Sequence, residues 1–453
     1  MPLNPEQVVV VGLGRSGIAT TRFLAQRGSR VTVVDQAPES RLQDAMTALS
    51  GLDVRFRLGS HGAADFENAD MVVLSPGVPH TLPALASARE KGIPVIGEME
   101  LAASHLQIPM IAITGTNGKT TTTELTGKML ENSGLRVFVG GNIGTPLITC
   151  VDSASDLVDV AVVEVSSFQL DTIVRFRPNT AMLLNITPDH LDRYADFSAY
   201  AAAKWAIFQN QEASDLAILN GMDLEVAAMT EKNPPRARTC FFSDSPVAAG
   251  AWIQKNEIRI MADNHMTASF SLSRNLLTGP HNRENIAAAC LAAREHGATD
   301  AGIQKTLDTF TGLHHRMEDA GIHRGVRFVN DSKATNVDAT KRALECFDEP
   351  VILIMGGQNK NCDFRHLEET VQRRVKVLVV MGEARGEIAT VLSGKPRQGV
   401  LSVSSLKEAV RASLSMASAG DTVLFSPACA SFDMFDNYAH RGDAFREAVD
   451  ELT

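Results

Sequence analysis

The sequence predicts an α/β protein built from three parallel-sheet segments, and three observations carry that prediction. Short β-branched runs recur along the chain and each ends in a glycine or polar loop, as in "QVVVVGLG", "IPMIAITG" and "PVILIMGG". Helical stretches such as "SGIATTRFLAQRG" and "HNRENIAAACLAAREHG" separate such runs, as the crossovers between parallel strands require. The chain has 453 residues, more than one ordinary core supports, so two to four domains are expected.

In the first segment "QVVVVGLG" reads as a buried strand, "SGIATTRFLAQRG" as a helix ending at Gly28, and "RVTVVD" as the next strand. Gly12, Gly14 and Gly17 form G-x-G-x-x-G directly after the strand and at the opening of the helix. Asp35 closes the following strand, where a dinucleotide enzyme places its ribose ligand. The pattern alone also suits a tight turn with no ligand. Glycines at a helix N-terminus bind any diphosphate, so a nicotinamide cofactor and a UDP conjugate fit equally. "ADMVVLSPGVP" and "IPVIGE" continue the strand rhythm, and Ser75, Pro76 and Gly77 would complete that pocket. A break is expected near Gly97–Leu101.

The second segment opens on "IPMIAITG" and holds the strongest signal, "IAITGTNGKTTTT". It departs from the usual phosphate loop G-x-x-x-x-G-K-[ST]: Ile113 stands where the first glycine belongs, and Gly115 comes two residues late. Strand, turn, lysine and helix still agree. Successive amides at a helix start, with Lys119 among them, suit the β- and γ-phosphates of ATP, and the Thr120 hydroxyl suits magnesium. Glu164 ends the strand "VAVVEVSS" and reads as a magnesium anchor or as a satisfied core or cap residue. "NITPDHLDRY" presents Asp189, His190, Asp192 and Arg193 after the next strand; His190 is a candidate metal ligand, though lone histidines are commonly structural. By pattern alone Lys204, in "AYAAAKWAIF", reads as a helix-surface lysine.

The third segment begins near "TGLHHRMED" and carries four more strands, in "GVRFVNDSKATN", "PVILIMGGQNK", "VKVLVVMG" and "DTVLFSPACAS". In such sheets ligands gather at the carboxyl ends of strands. Arg316, Lys333 and Lys360 lie in or beside those loops; each alone reads as solvated surface, but two lysines at strand ends facing one cleft suit an anionic substrate. Ser431 is a possible donor to a carboxylate. Cys429 fits buried packing better than a nucleophile's role.

Composition narrows the classes. No apolar run reaches the ~18 residues of a membrane span. The start "MPLNPEQVVVVGLG" lacks the basic flank and cleavage site of an export signal. Six scattered cysteines without a C-x-x-C pair indicate a reduced, cytosolic protein. A formal charge of −10 argues against nucleic-acid binding but leaves a local phosphate site open.

Taken together, "TGTNGKTT", "EVSSFQL", "NITPDHLDRY", "HNRENIAAA" and "DSKATN" resemble the Mur ligases, the amino-acid-adding enzymes of peptidoglycan synthesis, over essentially the whole chain. The short phosphate loop is that family's own form. The G-x-G-x-x-G start, "NDSKATN" and "SPACASFDMF" point to the member that joins D-glutamate to UDP-N-acetylmuramoyl-L-alanine. The L-alanine-adding sibling typically has histidine at the position of Asn117, and the diaminopimelate- or lysine-adding sibling carries a D-N-P-R motif, absent here.

The resemblance implies three domains: a Rossmann-like UDP-substrate domain at 1–98, a central P-loop ATPase-like domain with a mostly parallel sheet at 99–313, and a Rossmann-like amino-acid-binding domain at 314–453. It implies UDP-substrate contacts at Gly14, Arg15, Ser16, Asp35, Ser75, Pro76, Gly77, Asn142 and His190. ATP would meet Gly115, Thr116, Asn117, Gly118, Lys119, Thr120, Thr121, Asn282, Asn285, Arg316 and Asp331. Two magnesium ions would be held by Thr120, Glu164, His190 and Lys204, the last as a carbamate; Lys119, His190 and Lys204 take the catalytic roles. Lys333, Thr335, Lys360, Ser431 and Phe432 match the D-glutamate pocket. Arg15 stands where some relatives have an apolar residue, and Gln358 where an aspartate is common. The implied enzyme is a cytoplasmic monomer that activates a carboxylate as an acyl phosphate and engages neither nucleic acid nor membrane. Three competitors remain: a folylpolyglutamate-type ligase, which shares the ATPase core but has no reason for the first glycine loop; a nicotinamide dehydrogenase, which leaves Lys119 idle; and a nucleotide-sensing module without turnover.

Overall fold

The computed structural model describes residues 5–60, 62–154, 157–277 and 279–452, with only the backbone described at 152–154. Its strands form three sheets. The first contains β1 (Gln7–Val11), β2 (Arg30–Asp35), β3 (Val54–Leu58), β4 (Met71–Leu74) and β5 (Val95–Gly97) in the order 3-2-1-4-5, all parallel. Val8–Val11 and Met71–Leu74 are buried along their whole length, which is why they read as unbroken apolar runs. The order reverses between β1 and β4, so the loops after these strands diverge and open a crevice.

The second sheet contains β6 (Met110–Thr114), β7 (Val137–Gly141), β8 (Val160–Glu164), β9 (Thr180–Leu183), β10 (Leu216–Asn220), β11 (Arg238–Ser243), β12 (Gly250–Gln254), β13 (Glu257–Ala262) and β14 (His265–Ser271). Its order is 14-13-12-11-10-9-6-8-7. The strands from β7 to β12 pair in parallel, and β12, β13 and β14 close the edge as an antiparallel meander. β6 lies between β8 and β9, so the loop that leaves it is flanked by the loops that carry Glu164 and Asn185.

The third sheet contains β15 (Glu318–His323), β16 (Val326–Asn330), β17 (Val351–Gly356), β18 (Val375–Met381), β19 (Val400–Ser402) and β20 (Thr422–Phe425), in the order 15-16-20-17-18-19. All pairs are parallel except β15 with β16. Phe425 stacks on Phe445 with ring centroids 4.7 Å apart and ties the helix Tyr438–Asp450 to the sheet, a contact worth about 0.5–1.5 kcal/mol beyond its buried area.

The chain packs as two compact units. One comprises 1–186, 201–273 and 285–307, and so holds the first two sheets; the other comprises 187–200, 274–284 and 308–453. The expected boundary near Gly97–Leu101 falls at the start of a helix, Glu98–His105, in which Glu98 and Glu100 are buried. Glu100 accepts the N–H groups of Val174, Arg175 and Phe176, and Glu98 accepts that of Ile148. These two carboxylates therefore fasten the first sheet's segment to the second's. The strands β3, β7, β10, β11, β15 and β19 and the meander go beyond the sequence expectation; β3, β15 and β19 are short or half-polar edge strands with little periodic signal, whereas β10 is an interior strand buried throughout.

Candidate active site

The first glycine loop is shaped by close approach. A Cβ at Gly17 would lie 1.9 Å from the Gly12 carbonyl oxygen, so only glycine lets the helix Arg15–Gln26 start against the turn. Asp35 accepts the Leu13 N–H at 2.7 Å and the Ala37 N–H at 2.8 Å, bracing the loop that its own strand flanks. Ser75 Oγ donates to the Gly12 oxygen at 2.9 Å. Gly77 and Val78 join Val11, Gly12, Val34 and Asp35 in lining a cavity of about 150 Å³ at the switch point. Gly14 and Arg15 are exposed at the helix start, while Ser16 and Pro76 are half-buried.

The phosphate loop follows β6, whose five residues are all buried. Gly118 adopts φ +86°, and a Cβ there would lie 2.3 Å from Asn285 Oδ1. Asn185, just past β9, accepts the Thr116 N–H at its carbonyl and the Asn117 N–H at Oδ1, and its Nδ2 donates to the Asn117 oxygen. The loop is thereby propped from a neighbouring strand. Lys119 opens the helix Lys119–Glu131, whose first-turn N–H groups lack intrahelical acceptors, the arrangement that binds anions. Its Nζ donates to the oxygens of Gly115 and Thr116, each at 2.8 Å. Thr120 is half-buried and Thr121 buried at the same helix start.

Lys204 Nζ also donates to the Gly115 oxygen at 2.8 Å, and the residue is 2% exposed. The pattern reading of a surface lysine is thus wrong, because the helix Phe197–Trp205 turns that side chain inward. Two lysine nitrogens converge on one carbonyl at the base of the loop. Glu164 is buried at the end of β8; its Oε1 accepts from Asn142 Nδ2 at 2.9 Å, while Oε2 is buried without a hydrogen-bond partner. A buried, unsatisfied carboxylate oxygen is costly, and it fits a hard cation. Among the described residues no group of three or more His, Cys, Asp or Glu is arranged to hold a metal. Magnesium takes one or two carboxylates and completes its shell with phosphate oxygens and water. Asn285 is buried in this unit, where Thr122 Oγ1 donates to its Oδ1.

The other unit gathers Asn282, His190 and the third-segment candidates. Its loops are knitted together by main-chain bonds. Lys333 N–H donates to the His315 oxygen, Ala428 N–H to the Ala334 oxygen, and Gln358 and Ala430 exchange both N–H groups. Non-glycine residues with positive φ cluster here: His190 (56°), His315 (61°), Met317 (47°), Asn361 (60°) and Ala428 (60°). Such backbone is strained and persists where the surroundings over-determine it, commonly at ligand sites. Two of these residues flank Arg316.

Asp331 accepts the Met317 N–H and the Ser426 hydroxyl; burial pushes its carboxyl up to about 7, against the pull of those hydrogen bonds. Lys333 Nζ sits 3.6 Å from the centroid of the Tyr438 ring. Lys360 Nζ pairs with Asp189 Oδ1 at 2.7 Å, and Asn336 Nδ2 donates to Asp189 Oδ2 at 2.9 Å. Burial alone would raise the Asp189 carboxyl, but the charges of Lys360 and His190 and these hydrogen bonds hold it down at about 2. Thr335 is half-buried, Ser431 buried, and Phe432 70% exposed beside it. Cys429 is buried and its thiol is pushed up to about 12, so packing explains it and nucleophilic chemistry does not.

Sequence reasoning missed three supports: Asn185, Tyr438 and Arg441. Arg441 is 1% exposed; its Nε donates to Ser332 Oγ, its Nη1 to the oxygens of Cys429 and Ala430, and its Nη2 to the Ser332 oxygen. One guanidinium thus spans the loop of Lys333 and the loop of Ser431. No local pattern marks it, since an arginine in "NYAHRGDAF" reads as helix surface.

Comparisons with known proteins agree along the whole chain. The Mur ligase MurD-like N-terminal domain matches residues 6–97, the Mur ligase middle domain residues 113–293, and the Mur ligase glutamate ligase domain residues 315–429. A UDP-N-acetylmuramoylalanine–D-glutamate ligase from Desulfosudis oleivorans is 49% identical over 98% of this chain and 96% of its own length. One from Desulfatibacillum aliphaticivorans is 45% identical over all of both chains. Among solved structures, the UDP-N-acetylmuramate-alanine ligase of Thermotoga maritima shares the fold at a TM-score of 0.61 and 19% identity, covering 98% of this chain and 99% of that one.

Proposed function

We infer the activity from membership: the chain belongs to the Mur ligase family, with relatives 49% and 45% identical over nearly its whole length. It is an ATP-dependent ligase that joins D-glutamate to UDP-N-acetylmuramoyl-L-alanine in the synthesis of peptidoglycan precursors. The observation that carries this reading is the full-length match to relatives of that name, far above the identity at which only a fold is shared.

The chemistry explains the equipment. A carboxylate is anionic and resonance-stabilised, and it repels the γ-phosphate it must attack. Lys119, fixed by carbonyls of its own loop, brings a cation to the phosphates. Magnesium, when bound at Glu164 and Thr120, supplies further charge neutralisation. The L-alanyl carboxylate becomes an acyl phosphate, the deprotonated amine of D-glutamate attacks its carbonyl, and the tetrahedral species collapses to amide and phosphate. Lys333 and Lys360 hold the glutamate carboxylates; positioning of this kind contributes ~7–11 kcal/mol. Turnover also needs water kept from the acyl phosphate.

The proposal includes the division at 1–98, 99–313 and 314–453, two magnesium ions, and a carbamate on Lys204. Carbamylation would exchange a buried cation for an anion where Lys119 already supplies positive charge. It also includes action as a monomer in the cytoplasm. Purified protein should release phosphate from ATP only when UDP-N-acetylmuramoyl-L-alanine and D-glutamate are both present. Equal activity with L-alanine or L-lysine in place of D-glutamate would move the chain to another branch of the family. A crystal grown with nucleotide should show added density on Lys204 Nζ; a bare amine there removes the carbamate.

A further inference from the structure

We propose that Glu318 is a positioning residue: it fixes the backbone from which Arg316 projects, and so sets the direction in which that guanidinium meets ATP. The inference rests on the reading of Arg316 as a residue that reaches ATP, and it adds the group that orients it.

The loop around Arg316 holds a conformation its residues do not favour. His315 and Met317, on either side of it, have φ of +61° and +47°. Neither is glycine, and left-handed backbone in such residues persists only where the surroundings over-determine it. Three successive N–H groups are engaged there. The His315 N–H donates to Glu318 Oε2 at 2.9 Å, the Arg316 N–H to the Leu313 oxygen at 3.2 Å, and the Met317 N–H to Asp331 Oδ1 at 3.3 Å. The His315 ring is seated as well: a Cβ at Gly442 would lie 2.2 Å from its Nδ1, so only glycine at that point of the helix Tyr438–Asp450 leaves it room.

Glu318, the first residue of β15, is the hub of this arrangement. A carboxylate has about four acceptor directions, and Glu318 fills them from several parts of the same unit. Its Oε1 accepts from His314 Nδ1 at 2.9 Å and from Arg446 Nη1 at 2.5 Å; its Oε2 accepts the His315 N–H and Asn330 Nδ2, the latter at 3.3 Å. Arg446 lies on the helix Tyr438–Asp450 and Asn330 ends β16, so the loop is referenced to both. The side chain is only 13% exposed. Burial would raise its carboxyl, yet the His315 N–H, His314 and Arg446 hold it below the usual carboxylate range. Glu318 is therefore an anion, and its bonds to the loop are of the stronger, charge-assisted kind. A guanidinium meets phosphate through a planar fork, so its use depends on direction as well as charge. A misplacement of about 1 Å is enough to cost on the order of 100-fold in rate, which is a reason to fasten the main chain on both flanks of Arg316.

Glu318→Gln tests this, because an amide of the same shape keeps one oxygen and turns N–H groups toward donors. Its kcat/KM for ATP should fall roughly 10–100-fold, and the Kd of a non-hydrolysable ATP analogue should rise. The KM for D-glutamate, whose expected pocket lies in the same unit, should stay within about twofold of the parent value. Arg316→Ala should lose activity toward ATP by itself, and adding Glu318→Gln to it should cost less than about threefold more, since Glu318 acts through Arg316. A full further loss in the Arg316→Ala background, or constants for ATP and D-glutamate that worsen together, would make Glu318 a brace of the whole unit and overturn the proposal. Should Glu318→Gln not fold, Glu318→Asp keeps the charge but is one methylene short of the His315 N–H. It should show the same ATP-selective loss at roughly tenfold, and parent-like values in that variant would overturn the proposal too. An Arg316→Ala enzyme with parent-like ATP kinetics fails the reading of Arg316 itself and takes the proposal with it.

Discussion

Lys119 and Lys360 each stand in a loop that follows a fully buried parallel strand, yet they are held by opposite means. Lys119 is fixed by two carbonyls of its own loop, three and four residues away. Lys360 is fixed by a carboxylate 171 residues distant. The first arrangement is built from main chain and forms wherever its short motif occurs. The second depends on two segments meeting, with Asn336 and the His190 N–H adding to the support that Lys360 gives the Asp189 carboxylate. A phosphate is the same in every ATP-using enzyme and suits a local, reusable cradle. An amino-acid acceptor differs between branches of a family, and side chains from separate loops can be changed one at a time to follow it.

Replacing lysine on the local side should give the largest effect. Lys119→Ala is expected to lower kcat roughly 100–1,000-fold while leaving the KM for D-glutamate near the parent value. A change confined to KM would blur the contrast between the loops. Next, Lys204→Ala should lose roughly 10–100-fold in activity, as for a disrupted metal environment, and bicarbonate should not restore it. Parent-like activity would free the Gly115 carbonyl contact from any role.

On the remote side, Arg441→Lys should raise the KM for D-glutamate about tenfold with the KM for ATP unchanged, since one ammonium cannot replace a fork that reaches two loops. Equal losses for both substrates would mean a general loosening of the unit.

The smallest effect should come from Glu98, a remote carboxylate with no reacting partner. Burial pushes its carboxyl up to about 7, against the hydrogen bond from Ile148. Its folded value lies above its unfolded one, so its contribution is fully present below about pH 4.5 and is lost as pH rises through about 7. The shift corresponds to on the order of 3 kcal/mol. Glu98→Gln keeps an acceptor for Ile148 and removes the titration, so melting curves from pH 4.5 to 8 should become flatter than the parent's while kcat stays level. An unchanged pH profile would assign the parent's dependence to other groups.

Much of this molecule is legible in its sequence. The strands β4, β6, β8 and β17, which carry several of the candidate loops, are buried throughout, and their continuous apolar runs announce them. Gly12, Gly17, Gly118 and Lys119 are readable because backbone geometry demands those residue types at fixed offsets. Lys204 is the opposite case. Its helix offers no periodic reason to bury a lysine, and only the resemblance singled it out. Asn185, Tyr438 and Arg441 escaped altogether, since each acts on a segment far from its own neighbours in sequence.

The sequence alone determined the α/β class, the strand-ending loops and the phosphate cradle, because hydrophobic periodicity and glycine conformation act over a few residues. Tertiary structure alone decided which carboxylate meets Lys360, that Glu98 and Glu100 are buried fasteners, and that Arg441 braces two loops. Those outcomes depend on burial and on charges brought together across many residues, and a buried charge takes its meaning from the partner that folding supplies.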